Sequence, residues 1–403
     1  MARPRRAAIV GGSMSGLLTG LMLLRRGWDV HVFERVEGEL AGRGAGIVAQ
    51  AELIARLNAL GLDTRGLGVT STTRKLFDAA GHVTKTLECP LILTAWERVY
   101  RLLRAVFPAE RYQRGCAVKA FRQNSGEVIV QLGSGETIEV DLLVGADGLR
   151  STVRAQCLPD VVPLYAGYVA WRALLPERAI PPAVHRELFE AMSFGLPPGE
   201  QFLCYPVVGP DGDLRPGHRR CNVVWYRPAD AVSELPWLLT DDSGVSHAIS
   251  IPPPLIRRAA IAAMRAAAEL LLAPQFREIV RLIDEPILQP IYDLESPQLA
   301  FGRVAIIGDA AFVARPHVAA GVSKAADDAA ALAEAVDHGD VEAGLLRFEA
   351  SRLPVGARII ERARHLGAYL QATQTIEERA RSARHSIPEA VLAETAVLDF
   401  LYA

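Results

Sequence analysis

A glycine-rich turn near the start of the chain carries the residue types that bind a dinucleotide. Residues 7–10 have the pattern of a short buried strand, and the turn Gly11-Gly12-Ser13-Met14-Ser15-Gly16 follows them directly. Helical apolar spacing continues from there, and a second strand pattern spans residues 29–34. In such a unit, N–H groups at the helix start face a pyrophosphate, and glycines keep side chains away from it. The turn predicts a nucleotide site, with Glu34 placed to accept hydrogen bonds from a ribose.

Two later segments repeat this pattern of a buried strand that ends in a turn with glycine and aspartate. The first has Gly145-Ala146-Asp147-Gly148 after an apolar strand, and the second has Gly308-Asp309-Ala310-Ala311 after residues 304–307. A loop then precedes an alanine-rich helix predicted over residues 324–336. Each turn alone is consistent with an ordinary helix cap. Three such turns at distant points of the chain favour one composite nucleotide site.

Taken together, these segments resemble the FAD-dependent aromatic-ring hydroxylases of the para-hydroxybenzoate hydroxylase class. The three fingerprints of that family are G-x-G-x-x-G, D-G and G-D, and they occur here in the same order and spacing. Ser13 replaces the second glycine, a departure shared by the subgroup that hydroxylates dihydroxypyridines. Other segments that resemble this subgroup are residues 46–48, 110–112, 165–169 with Trp171 and Arg172, and 315–321.

The resemblance implies FAD as the cofactor, with NAD(P)H and O2 as co-substrates. It puts Ser13 near the pyrophosphate, Asp309 at the ribityl chain, and Asp147 where both FAD and NAD(P)H pass. Phe312 and Ser323 depart from the histidine and asparagine common in the family. No metal site is expected. The implied cofactor residues are Gly11, Ser13, Met14, Ser15, Gly16, Glu34, Arg35, Arg43, Arg98, Asp147, Gly148, Gly308, Asp309, Pro316, Ala319, Ala320 and Gly321.

The activity implied is hydroxylation of an electron-rich hydroxylated ring. NAD(P)H would reduce FAD, O2 would give a flavin C4a-hydroperoxide, and the ring would attack its distal oxygen. The protein must then activate a ring hydroxyl and exclude water, and we expect His317, Tyr205 and Arg315 to act there. A (di)hydroxypyridine is the preferred substrate. A hydroxybenzoate or phenol, a reductase or halogenase of the same fold, and a flavin-free nucleotide-binding protein remain open.

The predicted fold is α/β, with a discontinuous Rossmann-like FAD-binding domain, a β-sheet substrate domain and a C-terminal helical region. A hairpin is predicted from residues 127–132 and 137–144, and further strands from residues 169–174, 202–207 and 221–226. Pro354 is expected to cap or kink the C-terminal helix. The predicted parts are FAD-binding at 1–70, 95–160 and 296–340, substrate domain at 71–94 and 161–295, and C-terminal helices at 341–403.

Composition restricts the partners of the chain. Its 403 residues include 44 Lys and Arg against 46 Asp and Glu, a formal charge of −2. This balance argues against nucleic acid or an anionic membrane, because proteins that bind these polyanionic surfaces usually carry a basic excess. The five cysteines have no metal-type spacing. We therefore expect a cytoplasmic monomer or homodimer that acts on a small aromatic or heteroaromatic substrate.

Overall fold

The computed structural model describes residues 3–40 and 46–401, which form three β-sheets with helices packed around them. The strands are β1 Arg6–Val10, β2 Asp29–Glu34, β3 Gly46–Val48, β4 Val69–Phe77, β5 Val83–Ala95, β6 Tyr112–Arg114, β7 Val118–Gln123, β8 Val128–Leu132, β9 Thr137–Val140, β10 Leu142–Gly145, β11 Leu164–Pro176, β12 Met192–Gly195, β13 Gln201–Val207, β14 Arg220–Pro228, β15 Ile287–Glu295, β16 Ala300–Phe301, β17 Val304–Ile306 and β18 Phe312–Val313.

The helices cover the faces of these sheets and form the C-terminal region. They are α1 Met14–Leu24, α2 Ala51–Ala59, α3 Trp96–Val106, α4 Thr152–Cys157, α5 Pro182–Leu188, α6 Glu234–Leu238, α7 Arg258–Leu271, α8 Pro274–Arg281, α9 Gly321–Ala335, α10 Val341–Gly367, α11 Ile376–His385 and α12 Pro388–Glu394. Within the described ranges, none of them combines the length and the apolar character needed to cross a bilayer.

A six-stranded sheet brings the three glycine and aspartate turns together. Its order is β16-β17-β10-β1-β2-β6, and every pair except β16–β17 is parallel. Val10 pairs with Gly145 and Phe33, and Gly145 pairs with Ile306. The carboxyl ends of these strands therefore meet at one edge, where ligands bind in open α/β sheets. The α/β fold and the composite edge predicted from the three turns are both confirmed.

A nine-stranded sheet faces this edge. Its order is β18-β15-β11-β14-β13-β12-β4-β5-β3, and neighbours are antiparallel except β12 and β4. The strands predicted at residues 169–174, 202–207 and 221–226 are confirmed as parts of β11, β13 and β14. Its two edge strands, β3 and β18, follow β2 and β17 of the six-stranded sheet along the chain. Both sheets can therefore contribute to one cavity.

Two local predictions need correction. The hairpin is confirmed by β8 and β9, but residues 137–144 are not one strand, because β9 ends at Val140 and β10 enters the six-stranded sheet. Asp141 marks the break and accepts a hydrogen bond from the Arg6 amide at 2.7 Å. The sequence pattern hid this change of sheet, because buried apolar residues, Val140 and Leu142, lie on both sides of Asp141. Pro354 lies inside α10, so the predicted cap is wrong, while the predicted kink stays a prediction.

Candidate functional site

One large cavity, of about 900 Å³, is lined by residues of both sheets and of the loop before α9. Arg98 is not among the described residues that line it, because its guanidinium lies against Gly212. Arg43 lies outside the described residues. Gly16 and Gly308 belong to the glycine turns but are not among the described residues that line the cavity. The predicted residues that line the cavity are Gly11, Ser13, Met14, Ser15, Glu34, Arg35, Asp147, Gly148, Tyr205, Asp309, Arg315, Pro316, His317, Ala319, Ala320 and Gly321.

The first turn has the geometry of a pyrophosphate cradle. Gly11 has a φ of +103°, and a Cβ there would lie 2.4 Å from the Ala146 carbonyl oxygen. A Cβ on Gly16 would lie 1.9 Å from the carbonyl oxygen of Gly11. Ser13, at the N-cap of α1, makes no side-chain capping bond, so the first N–H groups of this helix keep their capacity to donate to an anion. The residues present therefore fit a dinucleotide.

Glu34 fixes the turn while it lines the cavity. Its carboxylate accepts hydrogen bonds from the amides of Gly12 at 2.8 Å and Val36 at 2.9 Å. Two carboxylate oxygens offer more lone pairs than these two bonds use. Glu34 therefore retains acceptor capacity for a ribose hydroxyl at the end of β2.

Asp147 forms hydrogen bonds with the start of a helix and also lines the cavity. It accepts hydrogen bonds from the Ser151 hydroxyl and from the Thr152 amide at 2.6 Å, at the start of α4. Burial raises its pKa, and these hydrogen bonds oppose the increase. The N-cap of α4 is Ser151, and Asp147 adds a hydrogen bond to the first turn while it lies in the cavity wall.

Asp309 faces the cavity without a protein donor. None of the described residues donates a hydrogen bond to its carboxylate, and its side chain is exposed to the cavity although the residue lies deep in the molecule. Burial raises its pKa, and the nearby Lys324 opposes this. The free acceptors of Asp309 match what a polyhydroxyl chain would need.

A buried charge network lies beneath the Asp309 turn, and no sequence motif indicated it. The Lys324 ammonium donates to the Gly308 carbonyl at 3.0 Å and to Asp328 at 2.9 Å. Asp328 also accepts from Nε of Arg352 at 2.8 Å. The two cations hold the pKa of Asp328 low, although burial opposes this. The network fixes the backbone of the third turn.

The end of the cavity under the nine-stranded sheet is aromatic. Burial raises the pKa of Tyr205 to about 12, so its phenol stays protonated near neutral pH. Sequence reasoning missed most of its neighbours, although alternation along β13 and β14 puts their side chains on one face. The lining side chains here are Tyr205, Tyr226, Arg172, Met192, Gln201, Leu203, Val224 and Gln289.

Arg172 and Arg315 lie in different electrostatic settings. Arg315 forms a bidentate ion pair with Asp293, at 3.0 and 2.8 Å, and donates to Gln371 at 2.9 Å. Arg172 donates instead to uncharged acceptors, the Gln289 side chain at 2.9 Å and the Gly46 carbonyl at 3.3 Å. Arg315, expected to act on the substrate, is thus already neutralised by a protein carboxylate. Arg172 is the less compensated cation at this end.

His317 is buried in the cavity wall beside Tyr168 and Tyr226. Its Nε2 lies 2.9 Å from the Tyr168 hydroxyl, and its ring centroid is 4.3 Å from that of Tyr226. Its Nδ1 has no hydrogen-bond partner within the described part of the chain. Burial, with a contribution from the Arg315 charge, lowers the pKa of His317 to about 3. A neutral imidazole with one unused nitrogen therefore borders the aromatic end.

Comparison with known proteins agrees with this geometry. Residues 5–162 match the family model of an FAD binding domain, and residues 165–293 match that of an FAD binding domain-like region. The chain is 32% identical to 2,6-dihydroxypyridine 3-monooxygenase of Paenarthrobacter nicotinovorans, over 91% of each chain. It is 28% identical to 3-amino-4-hydroxybenzoate 2-monooxygenase of Streptomyces cremeus, over 90% of this chain and 87% of that protein.

A comparison with solved structures also identifies a similar protein. The chain superimposes on 2,6-dihydroxypyridine-3-hydroxylase from Arthrobacter nicotinovorans with a TM-score of 0.87 and 30% identity. The match covers 93% of this chain and 95% of that one. The similarity therefore includes both sheets and the cavity between them.

Proposed function

Because the chain belongs to the FAD-dependent aromatic monooxygenases, we propose that its own substrate is a hydroxylated nitrogen heterocycle of the dihydroxypyridine type. The observation that carries this proposal is the similarity to 2,6-dihydroxypyridine 3-monooxygenase, which extends over 91% of both chains at 32% identity. The cavity supports it, since its aromatic end combines apolar walls with a few polar groups, as a small-ring site requires.

We further propose which residues hold the cofactor. The turn from Gly11 to Gly16 would receive the pyrophosphate, Glu34 the ribose, and Asp309 the ribityl hydroxyls, with Lys324 fixing the turn that carries Asp309. Bound FAD supplies the redox chemistry, in which it takes a hydride from NAD(P)H and delivers one atom of O2 to the ring. The remaining task of the chain is to bind, orient and polarise the substrate.

His317 and Arg172 are suited to polarise a ring hydroxyl. When the imidazole proton is on Nε2 and donates to the Tyr168 oxygen, Nδ1 keeps an unused lone pair. Nδ1 is buried in the cavity wall, so a small shift of the imidazole would be needed for this lone pair to accept a hydrogen bond from the substrate hydroxyl. Electron density then shifts into the ring, at the carbons ortho and para to that oxygen. The Arg172 charge would stabilise the negative oxygen that develops, because its present partners are uncharged.

The test is a substrate panel with product analysis. The purified protein, loaded with FAD, is given NADH or NADPH with 2,6-dihydroxypyridine, 3-hydroxybenzoate or no ring substrate. We expect dihydroxypyridine to stimulate NAD(P)H oxidation and to yield a hydroxylated pyridine. Oxidation without such a product would mean uncoupling, and stimulation by the benzoate alone would overturn the substrate assignment.

A hydroxybenzoate is the second candidate, and Arg172 is the observation that favours it. A cation held only by an amide and a backbone carbonyl can also pair with a carboxylate. The variant Arg172→Met separates the two candidates, with the exposed Arg186→Met as a matched control. If the substrate carries a carboxylate, Arg172→Met should abolish its binding. A dihydroxypyridine should lose only about tenfold in kcat/KM, the cost of one charge-assisted hydrogen bond.

A further inference from the structure

The segment formed by α12 and residues 395–398 crosses the aromatic end of the cavity. Thr395 and Ala396 line the cavity wall. The amide of Ala396 donates a hydrogen bond to the His317 carbonyl at 2.8 Å, and its carbonyl accepts one from the Gln50 side chain at 3.1 Å. This segment therefore contacts the backbone of the residue that borders the substrate.

The backbone conformation of Ala396 indicates that neighbouring interactions hold its contact with the His317 carbonyl in place. Its φ is +59°, a left-handed conformation that costs a non-glycine residue about 1 kcal/mol. Such a conformation persists only where neighbouring interactions over-determine it. Both backbone polar groups of Ala396 are bonded, and its side chain is buried, so the turn is held on both sides.

Apolar packing joins the segment to both walls of the aromatic end. Leu392 and Ala396 belong to the buried cluster that contains Tyr205 and Tyr226 of the nine-stranded sheet. Leu398 belongs to another cluster, with Val318 and Ala320 of the loop before α9. The segment thus bridges the sheet and the loop that carries His317.

Arg74 of β4 binds the segment through a hydrogen bond to α12. Its side chain is fully buried, and Nη1 donates to the Leu392 carbonyl at 2.6 Å, in the last turn of α12. A cation is favourable at the carboxyl end of a helix. A guanidinium this deep is costly to bury unless it is bonded, and Nε and Nη2 of Arg74 have no hydrogen-bond partner in the described part of the chain. The bond to the Leu392 carbonyl is therefore the contact through which Arg74 ties the position of α12 to β4.

We propose that residues 388–398 close the aromatic end and set the position of His317, and that Arg74 is a positioning residue for the reaction through this segment. The proposal rests on the proposed function, in which His317 contacts the ring substrate. Arg74 itself does not line the cavity. Its effect on turnover would pass through Leu392 and Ala396.

The test compares Arg74→Met with Lys75→Met in the FAD-loaded protein. Lys75 is the next residue on β4, and its ammonium donates to the Glu187 carbonyl, away from α12. Hydrogen exchange of the peptide that contains residues 388–401 reports on the segment without any substrate. We expect exchange there to rise about tenfold or more in Arg74→Met, since one buried hydrogen bond is lost. Lys75→Met should match the parent.

The kinetic arm uses whichever of 2,6-dihydroxypyridine and 3-hydroxybenzoate is hydroxylated. In Arg74→Met, we expect KM to rise about tenfold and the product formed per NAD(P)H to fall, while FAD content stays at the parent level. Parent-like exchange together with parent-like KM would overturn the proposal. If neither probe is turned over, the proposed substrate fails, and the exchange experiment alone decides whether Arg74 holds the segment.

A second variant covers the case in which Arg74→Met does not fold. Thr395→Leu adds bulk at the cavity wall and leaves the Arg74 bond in place, although it removes the bond from the Thr395 hydroxyl to the Val391 carbonyl. We expect it to raise KM for the same probe with FAD content unchanged. An unchanged KM in a folded Thr395→Leu protein would contradict the claim that this segment forms the wall of the substrate end.

Discussion

The Tyr168 hydroxyl lies 2.9 Å from Nε2 of His317, and both side chains are buried, at 0% and 2% exposed. Burial raises the pKa of Tyr168 well above its usual value and lowers that of His317 to about 3. Both rings are therefore neutral near pH 7. The pair presents a fixed imidazole to the cavity, and its tautomer depends on the direction of this one hydrogen bond.

Removing either member of this pair should reduce hydroxylation. We expect His317→Gln to lower kcat/KM about 100-fold, the lower range for a group that moves or polarises a proton. Tyr168→Phe should lower it about tenfold, because the imidazole loses the bond that orients it. Tyr165→Phe is the matched control, since its hydroxyl donates to the Ala229 carbonyl at 3.0 Å outside the cavity. Steady-state kinetics with parent-like values for both variants would exclude the pair from the reaction.

The buried, neutral His317 should also make the fold sensitive to acid. Its pKa is about 3 when folded against 6.5 for the free side chain, so the unfolded chain binds the proton first. The stabilisation is complete above pH 6.5 and is lost as the pH falls towards 3, by at most about 1.4 kcal/mol per pH unit. Urea unfolding between pH 7 and 4.5 should show a shallower pH dependence in His317→Gln. The exposed His338→Gln should keep the parent slope; equal slopes in all three proteins would refute this.

Asp309 should govern how tightly FAD is held. Its carboxylate has no donor among the described residues, so it is available to ligand hydroxyls. We expect Asp309→Ala to weaken FAD binding about 10- to 100-fold, the cost of hydrogen bonds to a charged group. Asp327→Ala is the control, because Asp327 pairs with Arg56 away from the cavity. Flavin absorbance per protein after dialysis measures the effect, and unchanged flavin content in Asp309→Ala would count against the assignment.

Substitutions at two glycines should distinguish a loss of folding stability from a loss of FAD binding. In Gly16→Ala, the new Cβ would meet the Gly11 carbonyl oxygen at 1.9 Å, so we expect the apoprotein to lose about 1–3 kcal/mol of unfolding free energy. In Gly321→Ala, the Cβ would meet no protein atom within 4 Å. That variant should keep apoprotein stability but bind FAD more weakly, because Gly321 lines the cavity. Calorimetry with and without FAD tests both, and parent-like FAD affinity in Gly321→Ala would contradict the cofactor position.

The turns that line the cavity at the edge of the six-stranded sheet could be located from sequence, and the reason is local. Each of these turns needs glycine where the chain passes close to itself, as Gly11 and Gly16 do. Each is also preceded by an apolar strand. A glycine turn after an apolar strand is a pattern of consecutive residues. The fingerprints near Asp147 and Asp309 could therefore be located without knowledge of the tertiary structure.

The substrate half depends on contacts between residues distant in sequence. Arg172 and Arg315 look alike in the sequence, and only Asp293, which neutralises Arg315, separates their roles. The Lys324 network and the α12 segment are likewise defined by partners far along the chain. The change of sheet at Asp141 was concealed because buried Val140 and Leu142 flank it, and apolar neighbours do not record which sheet a strand joins.

Incorporation of oxygen from ¹⁸O2 tests the account most directly. The FAD-loaded protein is incubated with NAD(P)H, 2,6-dihydroxypyridine and ¹⁸O2, and the product is examined by mass spectrometry. The account predicts a hydroxylated pyridine that carries one ¹⁸O atom, with one NAD(P)H consumed for each product molecule. NAD(P)H oxidation that yields only H2O2, with no labelled pyridine, would contradict it.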